Sequence, residues 1–218
     1  MALSGTILTM SAISFDTSAN GTQASGTSLT YSHTNAGNIL WVGVALESAT
    51  DVLTGVTYNS VSMTQATKEI ANSEATYLFY LVAPSQGVNN VVISWTGTLV
   101  CRSASASYTN AVQTGQPDAT GIKTVGAVGS STLAVTTVAN NCWMVSFVQN
   151  SAGTEPTAGT GTTRRNSTGA GNAIGDSNGA INPNGSYSMS WSFASGGLNT
   201  VQASFAPIPS ASGFFMIL

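Results

Sequence analysis

Hydrophobic and polar residues alternate along several short segments of the chain, which is the period of a β-strand with one buried face. The clearest segment is SYSMSWSF, residues 186–193, in which serines alternate with one tyrosine, one methionine, one tryptophan and one phenylalanine. Burying these four apolar side chains would contribute roughly 6–12 kcal/mol, which fixes the strand register. NILWVGVAL, residues 38–46, is apolar on both faces and is predicted to be a central, covered strand. Further strands are predicted at TSLTYSH, TYLFYLV, VVISW, RSASASY, STLAVTTV, CWMVSFV and NTVQASF.

Three blocks of sequence recur in the same order in the two halves of the chain. SLTYSHTNAGNILWVGVAL (28–46) aligns with TLAVTTVANNCWMVSFVQN (132–150), if the turn of the second copy is one residue shorter. APSQGVNNVVISW aligns with INPNGSYSMSW, and SASASYTNA aligns with VQASFAPI. The matched residues are Leu40, Val42 and Val44 with Trp143, Val145 and Phe147, Trp95 with Trp191, and Tyr108 with Phe205. The pattern predicts an all-β protein, an antiparallel jelly-roll-like sandwich built from two related halves that share one core.

The chain is expected to form one sandwich domain, residues 1–206, followed by an extended apolar tail, residues 207–218. The related halves span about 13–110 and 122–206, and residues 107–121 come nearest to a hinge between them. Residues 151–184 are rich in Gly, Thr, Asn and Ala, so long loops are expected there, with edge strands near 160–164 and 172–176.

Charged residues are few: five Lys and Arg against eight Asp and Glu, with a net charge of −3. Long amphipathic helices and nucleic-acid binding are therefore not expected, because the first need a charged face and the second needs clustered cations. The one basic pair, Arg164-Arg165, is expected in a solvated loop. No apolar run approaches the roughly 18–20 residues of a membrane span. The first cation is Lys68, so no secretory signal is predicted, and synthesis in a cytoplasm without a membrane partner is expected.

Residues that often carry catalysis are isolated in this sequence. His33, the only histidine, ends a predicted strand and has Thr137 as its repeat partner, so a structural position is expected. The eight carboxylates are scattered, and none interrupts the apolar face of a predicted strand, which argues against a glycosidase pair. Cys101 and Cys142 lie in apolar segments and either pair or remain buried free thiols.

Metal and sugar sites are also weakly indicated. GDSNG, residues 175–179, resembles the start of a calcium loop but lacks the remaining ligands, and a turn explains it equally well. No metal and no cofactor is predicted. The four tryptophans, Trp41, Trp95, Trp143 and Trp191, lie on apolar strand faces and are predicted to be core residues rather than exposed platforms for sugars.

The chain closes with SASGFFMIL, which contains five consecutive apolar residues: Phe214, Phe215, Met216, Ile217 and Leu218. Burying these side chains is worth on the order of 8–12 kcal/mol, against about 1–2 kcal/mol of backbone entropy per ordered residue. The segment therefore either folds back on its own sandwich or inserts against a neighbouring subunit. Pro207 and Pro209 hold the preceding chain extended and favour the second alternative. The five residues are the candidate assembly interface.

Several long segments carry a family resemblance, namely ISFDTSANGTQASGTSLTYSHT, GVTYNSVSMTQ, LFYLVAPSQGVNNVVISWTG, TNAVQTGQPDA and VQASFAPIPSASGFFMIL. From Ile13 onward the chain resembles a loose family of β-sandwich proteins found in tailed-phage virion gene sets and in large bacterial surface proteins. The shared motifs are structural, so the resemblance implies a fold and a setting but no active-site residues.

These observations favour a virion structural protein and not an enzyme. We expect a capsid decoration or cement protein, or a spike or fibre component, located in the virion. Its partners would be other copies of itself and a major capsid or other virion protein. The alternative is a carbohydrate-binding or adhesive module of a bacterial surface protein. A sandwich hydrolase would require His33 within hydrogen-bond reach of a serine and a carboxylate.

Overall fold

A computed structural model describes residues 12–127 and 129–209. Over these ranges the chain forms fifteen strands and no helix, all strand pairs are antiparallel, and no membrane-spanning helix is found. The strands are β1 (Ser14–Asn35), β2 (Ile39–Leu46), β3 (Leu53–Tyr58), β4 (Val61–Ser62), β5 (Thr64–Ala71), β6 (Glu74–Val82), β7 (Gly87–Thr109), β8 (Ala119–Val125), β9 (Ser130–Thr136), β10 (Trp143–Asn150), β11 (Thr157–Ala158), β12 (Thr163–Ser167), β13 (Asn172–Asp176), β14 (Ser186–Ser192) and β15 (Leu198–Phe205). The predicted all-β class is confirmed.

The two longest strands, β1 and β7, pair with each other and each runs through two sheets. Residues 14–23 of β1 pair with the second part of β7, and residues 28–35 pair with its first part. The register shifts on both sides of Gly26, opposite a stretch that includes Gly97 at φ 87°. Only glycine adopts that backbone conformation without strain, so the ribbon bends here and its two parts enter facing sheets.

The first half of the chain is a sandwich of these two sheets. One sheet contains the first part of β7 between β3 and the second part of β1. The other runs β5-β6-β2-β7-β1, using the second part of β7 and the first part of β1. If the two long strands are counted as two each, and β4 and β5 as one, the eighth strand pairs with the first and third, and the seventh with the second and fourth. This is the strand order of a jelly roll.

The second half repeats the same order with separate strands. One sheet runs β12-β13-β10-β15-β8 and the other β11-β14-β9. The strands β8 and β9 replace the two parts of β1, β14 and β15 replace those of β7, and β10 to β13 correspond to β2, β3, β5 and β6. The predicted antiparallel, jelly-roll-like fold of two related halves is confirmed, but each half forms a jelly-roll-like sandwich with its own core, whereas one core shared by both halves was expected.

The predicted alignment of the halves is wrong by one residue after the first turn. Trp143, Val145 and Phe147 point toward the first half, whereas Leu40 and Val42 point into the first sandwich. Leu40 therefore corresponds to Met144, which packs inside the second sandwich, and the turn is not shortened. A slip of one residue moves every side chain to the opposite face of a strand. The other matches, Trp95 with Trp191 and Tyr108 with Phe205, agree with the strand pairings.

The four sheets stack as four layers with a hydrophobic core in each gap. One core lies inside the first sandwich and includes Tyr58 and Trp95. Two smaller clusters lie inside the second sandwich and include Trp191 and Met189. The largest aromatic cluster joins the halves and contains Trp41, Tyr108, Trp143, Phe147 and Phe205. All four tryptophans are buried, which confirms that they are core residues.

Candidate functional site

The predicted assembly interface, Phe214 to Leu218, lies outside the described residues. The structure does describe the place from which the chain leaves toward it. We call this place the terminal pole: the end of the molecule at which the described chain begins at Ala12 and ends at Pro209. The Asn110 side chain donates a hydrogen bond to the Ala12 carbonyl (2.8 Å), and the Asn110 carbonyl accepts one from the Ile208 N–H (2.9 Å). One residue thus ties both ends of the described chain together.

The terminal pole is built from the same turn in each half. In the first half the Asp16 carboxylate accepts hydrogen bonds from the N–H groups of Ala36 and Gly37, in the turn between β1 and β2. In the second half the Asp118 carboxylate accepts hydrogen bonds from the N–H groups of Val138 and Ala139, in the turn between β9 and β10. Ser107 and Ser204 donate to these carboxylates at 2.7 and 2.9 Å, respectively. Both carboxylates therefore have structural partners that stabilise the pole.

Exposed aliphatic side chains concentrate toward this pole. The large hydrophobic residues that are exposed in the described ranges are Val61 (49%), Val88 (68%), Ile122 (48%), Val138 (70%) and Ile208 (44%). Val138 lies in the pole turn of the second half, and Ile208 follows the last strand. Val88 pairs with Thr34, just before the pole turn of the first half.

Val61 lies in the hairpin after β3, which also reaches the pole. Asn59 of this hairpin donates to Ser85 in the loop between β6 and β7. That loop bonds in turn to the first pole turn, through Gln86 to the Gly37 carbonyl. Only Ile122, midway along the edge strand β8, lies away from the pole. Four of the five exposed aliphatic residues thus share one end of the molecule.

A shallow groove of about 370 Å³ opens at the pole beside the end of the described chain. Its lining is mainly apolar and consists of Val112, Ala139, Asn140, Asn141, Ala206, Pro207 and Pro209. Pro207 pairs with Ala111 and is buried, while Ile208 and Pro209 are exposed. The prolines thus hold the last described residues along the rim of the groove.

His33 is fully buried inside the first sandwich, and the expectation that it has a structural role agrees with its contacts. Its Nδ1 lies 2.9 Å from Ser105 Oγ, and its Nε2 lies 3.0 Å from Ser107 Oγ. Burial lowers the pKa of His33 to about 4, although the Asp16 charge acts in the opposite direction. The ring is therefore neutral at pH 7, with one nitrogen accepting and the other donating.

This cluster contains a histidine and a carboxylate that both contact Ser107 and do not bond to each other. In a catalytic triad the carboxylate orients the histidine, and the histidine activates the serine. Here Asp16 accepts from Ser107, and both ring nitrogens of His33 contact serines. Ser105 and Ser107 are themselves fully buried. The order of contacts is that of a buried polar network and not that of a serine nucleophile with its base.

Two carboxylates are buried, whereas none was expected to be, because no carboxylate interrupts the apolar face of a predicted strand. Asp176 is fully buried between the halves, where it accepts hydrogen bonds from Tyr108 (2.9 Å) and Arg165 (2.7 Å). The Arg165 guanidinium also stacks on Phe15, 4.3 Å from the ring centroid. The expected solvated loop at Arg164-Arg165 is therefore wrong: both residues lie in strand β12, and Arg165 joins the halves. Asp176 belongs to the GDSNG segment that resembles the start of a calcium loop, and its carboxylate binds protein side chains instead.

The second buried carboxylate, Glu74, begins β6 and is 5% exposed. Burial raises its pKa to about 7. A sequence signal existed, because Glu74 and Thr76 alternate with Ala75 and Tyr77, but a polar face is normally interpreted as solvent-exposed. This face of β6 is polar because it packs against polar residues of the other half.

The two cysteines are free and buried in separate places. Cys101 packs inside the first sandwich, and Cys142 lies beside Asp118 in the second. Burial raises the pKa of each thiol to about 12. In the described part of the chain no cluster of three or more His, Cys, Asp or Glu residues could hold a metal ion.

The fold and its pole define the class of this protein: an all-β chain of two jelly rolls packed through their larger sheets, with both described chain ends at one pole. Comparisons with protein-family models, with curated proteins and with solved structures gave no match.

Proposed function

We propose that this protein is a structural component of a virion, a capsid decoration or cement protein or otherwise a spike or fibre component, that joins neighbouring subunits through its terminal pole. The observation that carries the proposal is the concentration of exposed aliphatic residues at the end of the molecule where the described chain begins and ends. Apolar surface gathered at one end favours docking, since its burial against another subunit removes it from water.

The chemistry of the described side chains also favours an architectural role. The histidine and the two buried carboxylates are engaged inside the molecule, where they hold strands and halves together. Low charge and a doubled jelly roll suit a rigid building block whose many weak contacts add up in a shell. Its partners would be copies of itself and a major capsid or other virion protein.

The alternative, a carbohydrate-binding or adhesive module, usually stacks sugar rings on exposed aromatic side chains. In the described ranges no Phe, Trp or Tyr is exposed, and only Phe15, Tyr80 and Tyr187 are even half-buried. The described surface thus offers no aromatic platform, and the virion role has the stronger support.

The proposal is tested by deleting residues 210–218 and by two aspartate substitutions of matched exposure. Ile208→Asp changes the pole, whereas Ile122→Asp changes a residue of similar exposure on β8. We expect the full chain to band with virus particles in density gradients and to self-associate in sedimentation velocity. The deletion and Ile208→Asp should abolish both while the melting temperature stays within a few degrees, and Ile122→Asp should abolish neither.

Two results would overturn the proposal. One is a full chain that stays monomeric and never accompanies particles. The other is equal loss of assembly in Ile122→Asp and Ile208→Asp, which would mean that the pole has no special role. Binding of the full chain and the deletion variant to a glycan array would support the adhesive alternative instead.

A further inference from the structure

The interface between the halves ends, opposite the terminal pole, in two polar rows that face each other. In the first half Thr76, Ala45 and Arg102 lie side by side on three neighbouring strands. In the second half Asn172, Gln149 and Asn199 occupy the corresponding positions. Glu74, two residues before Thr76 and on the same face of β6, lies against the second row.

Few direct bonds join the two rows. The Gln149 amide donates to Glu74 Oε1 at 3.4 Å, and the Asn199 amide donates to the Glu74 carbonyl at 3.1 Å. Five buried polar atoms of Glu74 and the two rows have no hydrogen-bond partner among the described residues: Glu74 Oε2, Thr76 Oγ1, Arg102 Nε, Gln149 Oε1 and Asn172 Nδ2. Twelve such atoms occur in the described chain, so nearly half of them gather at this one end.

This concentration requires an explanation, because a buried polar atom without a partner is costly and native proteins rarely keep several together. The unpartnered set mixes acceptors, such as Glu74 Oε2 and Gln149 Oε1, with donors, such as Arg102 Nε and Asn172 Nδ2. A cation would be repelled by the donors and an anion by the carboxylate. Water both donates and accepts, and buried water typically makes about three such bonds.

We propose that the polar end of this interface is an internal hydration site, in which ordered water bridges Glu74 to Thr76, Arg102, Gln149 and Asn172, and which takes up further water when Glu74 ionises. The site does not depend on the proposed virion role. Bulk solvent lies close, because Arg102 pairs at 2.8 Å with Glu47, whose side chain is 42% exposed.

The ionisation of Glu74 links the site to pH. Its charged neighbours are Arg102 on β7, Glu47 after β2 and Glu69 on β5, while Gln149, Asn172 and Asn199 are neutral. Arg102 is thus shared between the exposed Glu47 and the buried Glu74, and its attraction for Glu74 is outweighed by burial. A carboxylate that loses its proton here needs new donors, which water supplies.

Crystal structures of the full chain at pH 5 and pH 9, at a resolution that shows ordered water, test the site directly. We expect water bonded to at least two of the five atoms at both pH values, and more of it at pH 9. In Glu74→Gln, which keeps the shape of the side chain without its charge, the number of waters should not change with pH. Glu155→Gln, a surface substitution, should behave as the unchanged protein.

Infrared titration of the protonated carboxyl band gives a second readout that does not need crystals. The band of a buried neutral carboxyl group should disappear near pH 7 and be absent in Glu74→Gln. Glu47→Gln should lower that midpoint, because it removes the negative charge of Glu47, which raises the pKa of Glu74, and leaves the attraction of Arg102. A dry interface at both pH values, with the five atoms bonded directly to one another, would overturn the proposal. So would hydration that is unchanged between pH 5 and pH 9 in the unaltered chain.

Discussion

The free energy of unfolding should depend on pH through two buried groups whose contributions change in opposite directions. Burial raises the pKa of Glu74 from 4.5 to about 7 and lowers the pKa of His33 from 6.5 to about 4. In both cases the folded state favours the neutral form. The perturbations that separate the two contributions are Glu74→Gln and His33→Asn.

The sign for Glu74 follows from its raised pKa. The folded chain holds the proton more tightly than the unfolded chain, so the stabilisation is complete below pH 4.5 and is lost as pH rises toward 7. At about 1.4 kcal/mol per pKa unit the change amounts to at most about 3 kcal/mol. Glu74→Gln cannot ionise, so its stability relative to the natural chain should increase by up to that amount between pH 4.5 and pH 7.

The sign for His33 is the reverse, because its pKa is lowered. Its neutral form is present in both states above pH 6.5, and stability is lost as pH falls from 6.5 to about 4. The magnitude is again at most about 3 kcal/mol. Asparagine is smaller than histidine, so His33→Asn should lower the free energy of unfolding at every pH. The difference in that free energy between the variant and the natural chain should shrink by up to about 3 kcal/mol as the pH falls from 6.5 to about 4.

Urea unfolding followed by tryptophan fluorescence at intervals from pH 4 to pH 8 measures these differences, since all four tryptophans are buried. In the natural chain the pH-dependent contributions of Glu74 and His33 largely cancel between pH 4.5 and pH 6.5. Each variant removes one contribution and so makes the other visible. Glu155→Gln is the control for removal of a surface charge. A pH-independent difference between Glu74→Gln and the natural chain would refute the reasoning, because it would mean that Glu74 titrates alike in the folded and unfolded states.

Two further predictions test packing and thiol burial. Gly43→Ala should lower the free energy of unfolding by about 1–3 kcal/mol in thermal or urea unfolding, because the added Cβ would lie 2.1 Å from ring atoms of Phe147. Gly55→Ala is the control and should be close to neutral, because no atom lies within 4 Å of the Cβ that it adds. Cys101 and Cys142 should resist a thiol-specific reagent at pH 8 in the native protein and react rapidly in urea, since burial raises both pKa values to about 12 and thiolate is the reactive form. Rapid native labelling of either thiol would contradict the second prediction.

The strand pattern was predictable because alternation survives wherever one face of a strand is buried. The serines and large apolar residues of β14 identified both its register and its inward tryptophan. Edge strands were also expected near 160–164 and 172–176 in the Gly-rich region. β12 is an edge strand, but β13 lies between β12 and β10 and is buried. Repeat matching succeeded for Trp95 with Trp191 and for Tyr108 with Phe205, because aromatic residues are rare enough to fix an alignment.

The faces of the two central strands could not be predicted in the same way. β2 and β10 are buried on both sides, so their sequences lack the alternation that distinguishes inside from outside. The misplaced gap in the repeat followed from this. The buried carboxylates were missed for a related reason. Glu74 lies on a polar face of its strand, Asp176 ends its strand in a segment that was interpreted as a turn, and only the opposing half of the molecule makes both internal.

The contact between Gly43 and Phe147 shows how the two halves are fixed to each other. Counting from the ungapped alignment, these residues occupy equivalent positions in β2 and β10, and yet they contact one another across the interface. Equivalent residues touch in this way on the axis of a symmetric dimer. Phenylalanine at both positions would clash and glycine at both would leave a cavity, so only the unequal pair packs well. Tyr108 and Phe205 are a second equivalent pair in contact. Their ring centroids are 4.9 Å apart, and only Tyr108 has a hydroxyl, which donates a hydrogen bond to Asp176. The larger sheets of the two jelly rolls are therefore specific for each other within one chain. Because this interface is occupied within one chain, the exposed aliphatic residues of the terminal pole are the apolar surface on which the proposed assembly would depend.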